Sequence, residues 1–162
     1  MSLKSTGCRS LCPISIALDM IGDSWSGLIV RDLMFKGART FSEMRGGEER
    51  IATNILTARL AKLQEHGLLT RERDSGDRRR LIYRLTEKGF DLAPVLLELI
   101  LWVAKHEKTA APEHILNAIQ NDRTGFIEGL RKQWAGSAPG DNSRARRAET
   151  SRRRYPPKKR RV

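Results

Sequence analysis

The chain has 162 residues, which is enough for one domain with a hydrophobic core and some additional segments. No apolar run reaches membrane-spanning length, and two cysteines are too few for a disulfide framework, so the reducing cytoplasm is the expected compartment. The formal net charge is +12, and residues 136–162 supply most of the excess, with 10 Lys and Arg against 2 Asp and Glu. A basic balance favours nucleic acid or an anionic membrane surface as the partner.

The first predicted elements are an arm and three helices. Residues 1–11 are predicted to form a flexible N-terminal arm. A helix is predicted over residues 13–22, because proline suits the first helical position and glycine ends a helix. Asp23 or Ser24 can cap a second helix. A short third helix is predicted to begin near Thr40 and to end at a pair of glycines.

The stretch Ile51–Gly67 is predicted to be the helix around which the domain is organised. Leu56, Leu60 and Leu63 form one apolar stripe at helical spacing, and Gly67 supplies a C-terminal stop. The opposite face is small and polar. Two short helices separated by a turn, the second with such a face, indicate a helix-turn-helix.

The periodicity changes to that of strands after this helix. Residues 68–73 and 81–85 are predicted to form two strands of a hairpin, with turn residues at 74–77. The hairpin tip carries three consecutive arginines, Arg78, Arg79 and Arg80. A hairpin directly after a helix-turn-helix is a wing.

A long apolar helix is predicted next, over residues 86–106, capped by Thr86 and bent at Pro94. Its middle is apolar nearly all round and therefore needs cover on all sides. A domain of about 100 residues rarely has the mass to supply that cover, so a second subunit is the simplest one. The interpretation is a homodimer formed through this helix.

After the N-terminal arm, the chain is interpreted as one domain followed by two further segments. Residues 12–110 are interpreted as the DNA-binding domain with its dimer helix, and residues 111–135 as additional helices over 113–120 and 124–134. Residues 136–162 are rich in Gly, Ser, Pro and Arg and are predicted to be a disordered basic tail that raises nonspecific DNA affinity.

Short motifs in this order resemble those of the HxlR-type transcriptional regulators, which are dimeric winged helix-turn-helix proteins of bacteria and archaea. The motifs span residues 12–102 and are Cys12-Pro13, Ala17-Leu18, Gly22-Asp23 with Trp25, Leu28-Ile29, Arg31-Asp32-Leu33, Gly37, Arg39, Phe41, Glu43, Ile51, Asn54, Leu56, Arg59-Leu60, Leu63, Tyr83, Leu85-Thr86, Lys88-Gly89 and Trp102. Two features depart from the family pattern. Ser24 replaces the usual lysine, and the wing looks more like that of MarR-type regulators.

The resemblance implies a mainly α fold with a small β-hairpin, a winged helix-turn-helix dimerised through a C-terminal helix. In such a protein the second helix of the helix-turn-helix enters the major groove. Thr53, Asn54 and Thr57 are therefore predicted to contact the groove, and Arg59 to reach a phosphate or to brace the turn. At least one of the arginines at 78–80 is predicted to contact DNA, because a narrow minor groove attracts arginine. The alternative is that these arginines are only solvated surface residues and do not contact DNA.

Cys12 is a candidate redox sensor. It is predicted to be the N-cap of the first helix, where free N–H groups favour a thiolate. Some relatives in the resembled family use a cysteine at the matching position to sense oxidants or electrophiles. The alternative is a small N-cap residue without a sensing role, and a small ligand near the dimer helices is a second possible effector.

The expected function is sequence-specific binding of double-stranded operator DNA as a dimer, with repression more expected than activation. The alternative is a nonspecific architectural DNA-binding protein comparable to linker histones. No catalytic motif, cofactor motif or metal-ligand spacing is present in the sequence, so no enzyme activity, cofactor or metal is expected. No membrane partner is expected, and the expected location is the bacterial cytoplasm, at the nucleoid through DNA binding.

Overall fold

The structure, a computed structural model, describes residues 10–136. The predicted flexible arm at 1–11 and the predicted basic tail at 136–162 lie almost entirely outside these residues. The elements in chain order are α1 (Pro13–Ile21), α2 (Ser26–Met34), α3 (Phe41–Arg45), α4 (Thr53–Glu65), β1 (Leu69–Arg73), β2 (Leu81–Leu85), α5 (Glu87–Phe90), α6 (Ala93–His106), α7 (Glu113–Asn121) and α8 (Arg123–Ala135). The fold is a winged helix-turn-helix, as the sequence predicts.

The hydrophobic core lies where α2, α4, the hairpin and the start of α6 meet. The predicted apolar stripe of α4 is buried, with Leu56, Leu60 and Leu63 each at most 3% exposed. Val30 and Leu33 of α2 face it and are also buried. Full burial of an aliphatic side chain contributes about 1.5–3 kcal/mol, so this stripe holds α4 firmly on the domain and leaves its other face outward.

The helix-turn-helix consists of α3, a turn and α4. α3 starts with a capping box, in which the backbone N–H of Glu43 donates to Thr40 Oγ1 at 3.3 Å and Glu43 Oε2 accepts from the Thr40 N–H at 3.0 Å. α4 ends where predicted, because Gly67 has a φ of +68° and the Leu68 N–H donates to the Leu63 carbonyl at 2.9 Å. Both boundaries thus follow from local chemistry.

The wing is an antiparallel hairpin whose register pairs Leu69 with Leu85 and Arg73 with Leu81. The Asp74 N–H donates to the Arg80 carbonyl at 2.9 Å and closes the loop. β2 also pairs with the segment before α3, because the Tyr83 N–H donates to the Arg39 carbonyl at 2.7 Å. The wing is therefore attached to the helix-turn-helix through backbone hydrogen bonds.

The predicted single helix over residues 86–106, bent at Pro94, is wrong: the segment forms two helices, α5 and α6. Thr86 caps α5 as predicted, since its hydroxyl accepts from the Gly89 N–H at 3.1 Å. α5 ends at Phe90, and Pro94 lies in the first turn of α6, where the missing N–H of proline costs no hydrogen bond. The proline thus starts a new helix instead of bending one.

The two C-terminal helices pack on one side of α6 and on α5. Trp134 of α8 stacks on Phe90 with ring centroids 5.2 Å apart, and its Nε1 donates to the Leu85 carbonyl at 3.3 Å. Ile119 of α7 is buried. No helix within residues 10–136 has both the length and the apolar content needed to cross a membrane.

Candidate nucleic-acid interface

The outward face of α4 carries the three residues predicted to contact the groove. Thr53, Asn54 and Thr57 are all exposed, near the N-terminal end of the helix. The Thr57 hydroxyl donates to the Thr53 carbonyl at 2.9 Å, which leaves its oxygen available as an acceptor. Ala58, beside them, is exposed and small. This face can approach base edges closely because no long side chain stands in front of it.

Arg59 lies at the edge of that face and pairs with the turn between α1 and α2. Its Nε is 3.1 Å from Asp23 Oδ1, as an ion pair rather than an aligned hydrogen bond. Lys62, one turn further along α4, has its Nζ 3.7 Å from Asp23 Oδ2. Two roles are predicted for Arg59. Its position beside Asp23 is compatible with bracing the α1–α2 turn, and a contact with a phosphate stays a prediction.

An open cleft separates the start of α4 from the α1–α2 turn. Its volume is about 460 Å³, and its lining comes from two segments, Gly22–Trp25 on one side and Asn54, Ile55, Ala58 and Arg59 on the other. The cleft therefore shares Asn54 with the outward face of α4.

The three wing arginines have different surroundings. Arg78 and Arg79 are exposed at the tip. Arg80 is partly covered, and its Nη2 lies 3.6 Å from Glu43 Oε1 of the capping box. The structure thus leaves Arg78 and Arg79 available to a partner and places Arg80 where it connects the wing to α3.

Two arginines of β1 were missed by the sequence reasoning. Arg71 and Arg73 are exposed on the same hairpin, and Arg73 Nη1 donates to the Arg78 carbonyl at 3.1 Å. The sequence signal for them is the run of polar residues that follows Leu69 in the predicted strand. In the structure this strand buries only its first position. With Arg78 and Arg79 they extend the basic surface from the tip of the wing along one strand.

A cluster of charges holds the turn that precedes α4. Arg31 Nη1 is 2.5 Å from Glu49 Oε1, and Arg31 Nη2 is 2.7 Å from Asp32 Oδ1. The hydrogen bonds from Arg31 lower the pKa of Glu49 to about 2 against the opposing effect of burial. Arg50, the next residue, has a φ of +52°. The pairing connects the turn to α2, across 18 residues of sequence.

Cys12 is exposed at the N-cap of α1 and its side chain makes no capping hydrogen bond. Exposed apolar side chains follow it on α1, where Ile14 and Leu18 are 68% and 53% exposed. α6 also exposes apolar side chains, with Leu99 at 53% and Trp102 at 63%. Within residues 10–136, no group of three or more His, Cys, Asp or Glu side chains could hold a metal ion.

Comparison with known proteins yields one family match and several relatives. Residues 20–111 match the family model described as HxlR-like helix-turn-helix. An HTH-type transcriptional regulator of Synechocystis is 34% identical over 89 residues, which are 55% of this chain and 65% of the relative. The chain thus spans just under two thirds of that relative's length.

Solved structures agree with this match. The crystal structure of PA1607, a candidate transcription factor, is 38% identical with a TM-score of 0.57, over 65% of this chain and 72% of that one. The redox regulator HypR in its oxidized form is 30% identical with a TM-score of 0.54, over 60% of this chain and all of HypR.

Proposed function

The chain belongs to the HxlR-like helix-turn-helix family of transcriptional regulators, and we propose that it is a dimeric repressor that binds operator DNA. One observation carries the proposal: α4 turns a small polar face outward at Thr53, Asn54 and Thr57, beside a wing with exposed arginines. Such a helix fits the major groove, and the wing adds phosphate or minor-groove contacts. Repression then follows from steric exclusion of polymerase at a promoter.

The exposed apolar side chains of α6 support the dimer. The domain core and α7 cover one side of this helix, where Ala93 and Leu97 are buried, whereas Val95, Leu99 and Trp102 lie exposed on another. A contiguous exposed apolar surface on a monomer is a common mark of a protein–protein interface. A second copy of the chain would cover these side chains and place two recognition helices on one DNA duplex.

Oxidation at Cys12 is the proposed signal. Its exposure at the start of α1, beside the exposed apolar side chains of Ile14 and Leu18, supports this proposal. A structural relative, HypR, is a redox regulator. Two thiols that lose two electrons and two protons to an oxidant form one disulfide, and such a bond near the dimer interface would shift the spacing of the recognition helices. A small ligand near the dimer helices is the alternative signal.

Nonspecific architectural binding is the second candidate function. It is favoured by the net charge of +12 and by the exposed arginines of the wing. Contacts to phosphates alone do not depend on base sequence, so they give equal affinity for every duplex. The ratio of specific to nonspecific affinity at fixed salt therefore separates the two functions.

The experiment starts from selection of bound fragments out of genomic DNA, followed by measurement of affinity for the selected site and for random duplex. We expect the selected site to bind on the order of a thousandfold more tightly or better. A ratio near one would support the architectural function and overturn the regulator.

Asn54→Ala tests the readout by α4. Loss of a good amide–base pair costs about 1–3 kcal/mol, so we expect a loss of affinity for the selected site of about fivefold to a hundredfold and little change for random DNA. Gln64→Ala, an exposed change at the other end of the same helix, is the control. If Asn54→Ala lowered the affinity for the selected site and for random DNA by the same factor, Asn54 would not be a base-reading residue.

A further inference from the structure

Asp23 lies in the turn between α1 and α2, and its carboxylate contacts both the start of α2 and the side of α4. Its Oδ1 accepts from the backbone N–H groups of Trp25 and Ser26, each at 3.0 Å. The Ser26 hydroxyl donates to Oδ2 at 2.5 Å. These bonds fix the carboxylate at the N-terminal end of α2.

The same carboxylate holds α4. Arg59 and Lys62 both point at it, with the Arg59 Nε at 3.1 Å and the Lys62 Nζ at 3.7 Å. The Asp23 side chain is 19% exposed, and those of Arg59 and Lys62 are 34% and 27% exposed. The pairs are partly shielded from water, so they are stronger than ion pairs on an open surface.

The turn that carries Asp23 is tightly attached to α1. The Gly22 N–H donates to the Leu18 carbonyl at 2.8 Å. A Cβ on Gly22 would lie 2.5 Å from that same carbonyl oxygen, so this turn requires glycine. Leu18 also belongs to the exposed apolar surface of α1. A shift of α1 therefore moves Asp23, and Asp23 is in contact with α4.

Burial alone would raise the pKa of Asp23, but the hydrogen bonds from Ser26 and Trp25 and the charge of Arg59 lower it below its ordinary value. The group is thus a carboxylate at neutral pH, and it remains a negative charge beside a surface that is proposed to face DNA. A negative charge near phosphates weakens binding to every duplex. The Asp23 carboxylate therefore does not contribute to DNA affinity through its charge, which indicates a structural role for it.

We propose that Asp23 is a positioning residue for sequence-specific DNA binding, which sets the orientation of α4 through Arg59 and Lys62 and links it to α1. This inference rests on the proposed regulator function. Asp23 itself does not touch DNA. Its role is to keep Asn54 and its neighbours, on the other side of the same cleft, in register with the bases.

The test compares Asp23→Asn with a control that removes a similar charge. Asparagine keeps an oxygen for the Trp25 and Ser26 N–H groups but loses the attraction for Arg59 and Lys62. The control is Glu48→Gln, since Glu48 is an exposed glutamate in the turn before α4. Affinities for the genomically selected site and for random duplex are measured for each protein at one salt concentration.

We expect both substitutions to bind random DNA equally well or more tightly than the wild type, since each removes one negative charge. Only Asp23→Asn should lower the ratio of specific to nonspecific affinity, by about tenfold, which is the size of a typical energetic coupling between sites. An unchanged ratio in Asp23→Asn, or an equal change in Glu48→Gln, would overturn the positioning role. A wild-type ratio near one would instead overturn the regulator function.

A separate experiment tests whether Asp23 acts on α4 through Arg59. Asp23→Asn, Arg59→Gln and the double variant form a thermodynamic cycle on the same ratio. We expect the double variant to lose no more specificity than the stronger single variant, and independent, additive losses would overturn the route. If Asp23→Asn does not fold, Arg59→Gln with Lys62→Gln replaces it, because that pair leaves the hydrogen bonds from the Trp25 and Ser26 N–H groups to Asp23 intact. An unchanged affinity ratio in this pair would equally overturn the positioning role.

Discussion

At the scale of single residues, charged side chains hold the parts of the helix-turn-helix in place. Glu49 receives hydrogen bonds from Arg31 at 2.5 Å and 3.1 Å, and it belongs to the turn that directs the chain into α4. Arg50 follows in the left-handed region with a φ of +52°, a conformation that non-glycine residues adopt at some cost. The Arg31–Glu49 pair, next to this residue, holds the turn against α2.

Glu49→Gln should make the unfolding free energy less dependent on pH. The pKa of Glu49 is about 2 in the folded protein and 4.5 is its ordinary value, so the stabilisation is present above about pH 4.5 and is lost as the pH falls through 2. Because the side chain is 34% exposed, we expect a difference of roughly 1 kcal/mol or less at pH 7. Urea unfolding at pH 7 and pH 2.5 measures it, and an equal difference at both pH values would contradict the prediction.

Cys12→Ser tests the proposed redox signal, since serine keeps the size of the side chain but cannot form a disulfide. A thiol oxidant such as diamide should release the wild-type protein from the selected DNA site and leave Cys12→Ser bound. Cys8→Ser, at a position outside the described residues, is the matched control and should respond like the wild type. Mobility on a non-reducing gel separates a subunit cross-link from simple modification. If the oxidant also released Cys12→Ser from the DNA, the oxidant would act at a group other than Cys12.

At the scale of elements, α8 connects the exit of the wing to the helices that follow it. Trp134 covers Phe90 and donates to the Leu85 carbonyl, while Arg131 lies over the Phe90 ring with its Cζ 4.6 Å from the centroid. Arg131 Nη1 also pairs with Glu87 Oε2 at 2.6 Å. These contacts are made by a helix beyond residue 111, where the family match ends. α8 thus adds a stabilising element to the family domain.

Trp134→Ala should lower the free energy of unfolding by about 2 kcal/mol. The value lies below the 3–5 kcal/mol typical of a fully buried tryptophan, because Trp134 is only partly buried. Lys132→Ala, an exposed change on the same helix, should have little effect. Denaturant unfolding of both variants measures the difference. Equal stabilities for the two would show that α8 does not support the wing.

At the scale of the whole molecule, the described residues leave apolar side chains exposed on two helices. Ile14 and Leu18 of α1 and Leu99 and Trp102 of α6 are each more than half exposed. The sequence predicts that α6 requires cover on all sides, and the domain core and the C-terminal helices supply that cover on one side only. The remaining apolar side chains are the surface that the proposed dimer would bury.

Leu99→Glu should convert the dimer into a folded monomer. A charge that would be buried without a partner costs several kcal/mol in the interface, but Leu99 is exposed within one subunit, so the helices should persist. Lys105→Glu, an exposed change on the same helix, is the control. Light scattering at micromolar concentration gives the mass, and circular dichroism checks the helices. A monomer mass for the wild type would refute the dimer.

The sequence by itself determined the order and type of the elements from α1 to the wing. These depend on short-range signals: the leucine spacing of α4, the positive φ available to Gly67, the capping side chains of Thr40 and Thr86, and the turn residues of the wing. Each signal acts within a few residues, so its chemistry can be recognised without knowledge of the fold. The exposed face of α4 follows directly, because burial of the leucines places Thr53, Asn54 and Thr57 outward.

Only the tertiary structure decided which charges pair and where the C-terminal helices dock. Arg59 reaches Asp23, Arg31 reaches Glu49, and Trp134 stacks on Phe90, and in each case the two residues are far apart in sequence. The break between α5 and α6 was also decided by the tertiary structure. Pro94 is compatible with a bend or with a first helical turn, and local propensity does not distinguish them. The choice depends on how Phe90 and Ala93 are buried, which is a property of packing between distant segments.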